Sequence, residues 1–132
     1  MPEWESGAPE RFRVSGRVLR VTPRFDPRFQ PRAMVELLQI VEDLALDAGG
    51  GEVMLDLGDC VPLPSLMAGF IGEAVLVATR SGATLRVRMR AECYRRLRTL
   101  GLMGMFPEAG EAVRADGVDC VDLTAKPTAR TP

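Results

Sequence analysis

The stretch Glu52–Gly82, EVMLDLGDCVPLPSLMAGFIGEAVLVATRSG, decides the fold. It opens on Val53–Leu57, an apolar run that is nearly continuous rather than alternating, as in a central strand of a layered sheet. The run carries Asp56, crosses a loop punctuated by Gly58, Pro62 and Pro64, and enters a long helix at Ser65. That helix is apolar on most of its circumference. Ser65 suits the N-cap, where a hydroxyl oxygen accepts a first-turn N–H, and Gly82 suits the C-terminal stop. Open α/β sheets place their sites at such strand–loop–helix junctions, because N–H groups at a helix start point outward and favour an anion.

Working outward, Arg11–Val14 and Arg17–Val21 read as two strands around Ser15-Gly16, with Phe12, Val14, Leu19 and Val21 as their apolar members. The prolines of Arg24–Pro31 lead into a helix, and Pro31 suits its first position, where a missing N–H costs nothing. From Ala33 to Ala48, Met34, Leu37, Leu38, Val41, Leu44 and Ala45 recur at helical spacing, and Gly49–Gly51 ends the run. Thr84–Arg90 alternates strictly, with Leu85, Val87 and Met89 on one face and arginines on the other. Glu92–Leu100 reads as a third helix with its arginines late, where the helix dipole favours them. A short helix over Glu108–Arg114 and a strand over Val118–Leu123 complete the reading. Alternation of strands and helices predicts an α/β domain: a mixed sheet of about four to five strands packed by about four helices, with right-handed crossovers. The domain is expected to span residues 11–123, with flexible ends at 1–10 and 124–132.

Composition narrows the chemistry. A length of 132 residues suits one domain with a real core. The longest apolar run, Ala74–Ala78, is far short of the roughly 20 residues that cross a bilayer, and the polar N-terminus lacks an apolar signal region. A cytoplasmic protein is the expectation, with Cys60, Cys93 and Cys120 as reduced thiols, since they are odd in number and show no metal or redox spacing. A net charge of −1 argues against nucleic acid as the partner of the whole molecule. The chain has no histidine, which removes the usual general base and the common zinc ligand. No catalytic residue, metal site or cofactor is expected.

The order of elements, together with TPRFD at Thr22–Asp26, VMLDLGDC at Val53–Cys60 and SGATLRVRMRAECYRRLRTLGLMGMF at Ser81–Phe106, resembles the STAS domain family, which includes bacterial anti-sigma factor antagonists. The resemblance covers roughly residues 11–115 and aligns TPRFD with the family's Gly-x-Leu-Asp turn. It implies a signalling module that binds proteins and regulates transcription, switched by phosphorylation within an Asp-Ser-Ser/Thr-Gly motif at a helix start. Counted from Asp56, that motif lands on Pro64-Ser65-Leu66-Met67. The phosphate-accepting position is Leu66, so the switch, which works by adding about −1.5 to −2 of charge, is absent as usually wired. Ser65 is read as a plain cap, with an alternative phosphosite as the rival reading, and Asp26 as either a turn aspartate or a partner contact.

The resemblance therefore implies a docking surface made of Asp26, Leu63, Pro64, Ser65, Leu66, Met67 and Phe70, from which Leu102, Met103, Met105 and Phe106 are not far. Most of these apolar groups are expected in the core, with a fraction exposed. The partner would be an anti-sigma-factor-like kinase, a sensor complex or a subunit of a membrane-lipid transporter, and a homodimer is left open. One other surface merits attention: sixteen of the seventeen basic residues are arginine, and those on the N-terminal hairpin and on Thr84–Arg90 would form an anion-binding patch if the strands were neighbours. The competing reading is a solvated face balanced by acids.

Overall fold

A computed structural model of the protein describes residues 11–107 and 109–127; the segments 1–10 and 128–132, expected to be flexible, lie outside the described residues. The elements follow in the order β1 (Phe12–Ser15), β2 (Val18–Val21), α1 (Pro31–Ala48), β3 (Glu52–Asp56), α2 (Met67–Arg80), β4 (Thr84–Arg90), α3 (Ala91–Thr99), β5 (Glu111–Ala115) and β6 (Val118–Ala125). They build one six-stranded mixed sheet in the order β1-β2-β3-β4-β6-β5. Strands β2, β3 and β4 are parallel, while β1 and β6 pair antiparallel to β2 and β4, and β5 antiparallel to β6.

The α/β class and the mixed sheet are as the sequence predicts; the tally of strands and helices is not. Within Glu108–Arg114, read as a helix, Glu108 lies outside the described residues and residues 111–114 belong to strand β5 instead. Its partner is dictated by Asp116-Gly117, two residues of positive φ (51° and 75°) that join Ala115 to Val118 in a tight hairpin. Thr124 and Ala125, assigned to a tail, belong to β6 and pair with Arg86 and Leu85.

Local rules account for most boundaries. Gly16, at φ 59°, turns β1 into β2. Pro31 takes the first turn of α1, and Gly49 ends that helix in the left-handed region at φ 56°. Leu37, Val41, Ala45 and Ala48 form the buried stripe of α1 and meet the core together with Phe70, Ile71, Ala74 and Ala78 of α2 and Leu97 of α3. The strands contribute one alternate set to the same core: Leu19 and Val21, Val53 and Leu55, Leu85, Val87 and Met89, then Val121 and Leu123. All three helices thus pack on one face of the sheet.

Among the described residues, no helix lies on the opposite face. The pairing register places one ionisable residue from every strand in a single row across it: Arg13, Arg20, Asp56, Arg88, Asp122 and Glu111, in sheet order. Within the row, Arg88 holds Asp122 side-on, Nε to Oδ1 at 2.8 Å and Nη2 to Oδ2 at 3.0 Å, and Arg20 reaches Asp56 at 3.2 Å. Asp56 and Asp122 are only 5% and 2% exposed, so these partners are what make their burial tolerable.

Close packing between β6 and α3 leaves no room at Gly110: an added Cβ would run into Val121 Cγ1 and lie 3.3 Å from the Tyr94 ring. Gly110→Ala is expected to lower stability by about 1–3 kcal/mol through overpacking. Gly104→Ala, whose methyl would meet nothing within 4 Å, is expected to stay within about 0.5 kcal/mol of the parent. Chemical denaturation midpoints distinguish the two.

Candidate functional site

The sheet winds in one direction from β2 through β3 to β4. It therefore has no topological switch point of the kind that opens a crevice in doubly wound sheets. What forms at the carboxyl ends of the parallel strands is shallower. The loop after β2, residues 22–30, and the loop after β3, residues 57–66, converge with Arg96 of α3 around a cleft of about 390 Å³. Phe25, Asp26, Arg28, Val61, Pro62, Pro64 and Met67 line it.

The two loops are pinned from beneath. Phe25 packs against Phe70 of α2, ring centroids 5.4 Å apart and inclined at 59°, which anchors the first loop to the helix that starts the second. Asp26 then closes its own turn. It accepts the Arg28 backbone N–H at 3.0 Å and the Arg28 guanidinium at both oxygens, while its own N–H donates to the Gln30 side-chain carbonyl. The side-chain hydrogen bond from Arg28 holds the Asp26 carboxyl below its ordinary range. A carboxylate so engaged is a turn element and a poor proton acceptor.

Of the residues predicted for docking, three are sealed in the core: Leu63, Met67 and Phe70. These three are not available at the surface. Met103 and Phe106 are likewise buried, and Leu102 and Met105 pack partly against the core. Pro64 is half-buried and Ser65 exposed, while Leu66 and Val61 are 55% and 43% exposed. The structure thus brings the Asp26 turn and the Pro64–Leu66 segment to one edge. The exposed apolar side chains of the 57–66 loop are Val61, Pro62 and Leu66, of which the first two line the cleft; Val61 and Pro62 lie outside the predicted set. The exposed loop position of Val61 beside Pro62 was the available signal.

Ser65 is not the cap of α2. The helix begins at Met67, Leu66 occupies the cap position with helical dihedrals, and no side chain caps it. The chain winds in through backbone bonds instead, with Met67 N–H donating to Pro64, Ala68 to Ser65 and Gly69 to Leu66 at 2.9–3.1 Å. The first N–H groups of the helix therefore have partners, and the anion-binding geometry expected at a helix start is not formed.

The arginine patch also takes a different form. Strands β2 and β4 are not neighbours, because β3 lies between them and supplies Asp56. Arg20 meets Asp56, Asp59 and Asp116 within 4.0 Å. Arg86 lies 3.1 Å from Glu52, and Arg90 donates to the Gly58 carbonyl. The face is a network of paired charges. Chemical reactivity is low elsewhere too: Cys60 Sγ–H donates to the Val21 carbonyl, and all three cysteines are free and buried. No group of side chains suited to a metal ion occurs among the described residues.

Comparison with known proteins gives no match: no family model, curated protein or solved structure is similar to this chain.

Two expectations follow. Met67→Ala should cost about 2–5 kcal/mol by leaving a core cavity, while Leu66→Ala should cost less than about 0.5 kcal/mol, as thermal unfolding can show. Burial pushes the Cys60 thiol from 9.0 up to about 12. The folded state therefore favours the protonated thiol, a contribution that is complete below pH 9.0 and lost as pH rises toward about 12. Native Cys60 should resist iodoacetamide at mildly alkaline pH and react once denatured, and stability should decline above pH 9.0.

Proposed function

We propose that the chain is a non-catalytic protein-interaction module, similar to STAS-type anti-sigma factor antagonists, that docks a protein partner through the edge formed by residues 61–66 and the Asp26 turn. The observation that carries this reading is the convergence of two segments, distant in sequence, on one cleft that exposed Val61 and Pro62 line, with exposed Leu66 two residues past the lining residue Pro64. Apolar side chains gathered at a rim suit a contact surface better than a reaction centre. The cleft lining supports the same conclusion: it has no histidine, its aspartate is tied to Arg28, and its thiol is held protonated. The element order also agrees with the resemblance, with a strand leading through the Asp26 turn into a helix and β3 leading into α2 at Leu66.

Leucine at the hydroxyl position makes the contact constitutive rather than switched, and Ser65 is a bystander. The partner is an anti-sigma-factor-like kinase, a sensor assembly or a transporter subunit, and the setting is cytoplasmic. No helix among the described residues is long and apolar enough to cross a membrane. Anion binding by the strand arginines is the weaker reading, because those guanidinium groups already have carboxylate or carbonyl partners.

Affinity purification from the native host, followed by mass spectrometry, identifies the partner. Leu66→Asp and Val61→Asp should each abolish its capture with unfolding temperature unchanged, and Ser65→Ala should retain it. Retained capture with both aspartate variants would sink the docking assignment.

A further inference from the structure

We propose that the face of the sheet on which no described helix packs takes a second copy of this chain, the two copies being related by a two-fold axis that runs parallel to the strands and passes between β3 and β4. The reason lies in the order of charges along the row that crosses the sheet. Arg13, Arg20, Asp56, Arg88, Asp122 and Glu111 read plus, plus, minus, plus, minus, minus. Reversed, the same row reads minus, minus, plus, minus, plus, plus. Every position is opposite in sign to its counterpart.

A two-fold axis along the strands performs that reversal. It lays Arg13 over Glu111 of the second copy, Arg20 over its Asp122, and Asp56 over its Arg88. An axis across the strands would instead set each residue against itself and create six like-charge contacts, so the charge order selects one of the two arrangements. Shape permits the selected one, since two sheets of equal twist stack face to face in aligned packing at about −30°. The pairs already present within each copy, Arg20 with Asp56 and Arg88 with Asp122, become parts of an alternating lattice rather than being broken.

The size of the face sets the strength. Six strands span about 24 Å, and the paired segments about 17 Å, which gives roughly 400 Å² per copy. That is at the low end for a specific contact and defines a weak, salt-sensitive dimer in which the charges fix orientation more than affinity. The half-buried Val18, Met54 and Val113 flank the row and supply the apolar part.

Sedimentation equilibrium of the full chain over a concentration series, at low and at high salt, provides the test. The parent should dimerise at low salt and dissociate as salt rises. R13E and E111R alter exposed residues on the two outermost strands, and each should weaken the dimer by about tenfold or more, because symmetry introduces two like-charge contacts. Mixing the two single variants should restore a dimer, as should combining both changes in one chain. The two positions lie on opposite edges of the sheet, so rescue cannot arise within one copy. Circular dichroism confirms that each variant is folded. A parent that stays monomeric throughout, single variants that dimerise as the parent does, or absence of rescue on mixing would each overturn the proposal. The docking edge at residues 61–66 takes no part in this contact, so either reading can fail without the other.

Discussion

Two aspartates almost sealed from water, Asp56 and Asp122, are held by Arg20 and Arg88, and much of the architecture depends on those contacts. A sheet with helices on one face alone must keep its other face stable against water without a second apolar layer. Here the middle of that face is ionic rather than apolar. Loss of either arginine would leave a desolvated carboxylate under-compensated, Asp56 with the Gly58 N–H and Asp122 with Arg86 at 3.6 Å, which is costlier than never having buried the pair. The arrangement also links segments far apart in the chain. Arg20 gathers Asp56 from β3, Asp59 from the loop beyond it and Asp116 from the β5–β6 hairpin.

Seen from this pairing, the two faces divide the labour. The helix side carries the continuous core, in which Phe25 and Phe70 lock the β2 exit loop to α2. That lock fixes where the 57–66 loop can lie and which of its apolar residues reach the surface. Leu63 and Met67 are drawn inward, while Val61 and Leu66, between and beside them, point out. The exposed pair follows from the anchoring of its neighbours, which is why a partner could read it as a fixed shape.

How far the sequence could be read depended on how much each residue answers to its own neighbours. Thr84–Arg90 is legible to the residue because strict alternation has one physical meaning, and α1 is legible from its stripe, its first-turn proline and its glycine stop. Glu111–Ala115 is not, because an edge strand with mostly exposed side chains leaves no period in the sequence, and Ala and Glu favour a helix locally. The Asp116-Gly117 turn was the overlooked cue. Ser65 misleads because a hydroxyl before an apolar run resembles a cap, whereas Pro64 and Leu66 let the backbone carbonyls do that work. The arginine face could not be read at all from spacing, since its character depends on strand order: only with β3 between β2 and β4 does Asp56 stand between two arginines.

Strand order also bears on how the protein comes into being. β6 is made after β5 yet lies inside it, against β4, and it supplies every hydrogen bond along that side of β4. Until residues 118–125 have been synthesised, β4 is a bare edge, with Leu85, Val87 and Met89 on one side and Arg88 without its carboxylate on the other. Asp122 arrives as the closing piece. A nascent chain halted before it would expose an adhesive strand to its neighbours.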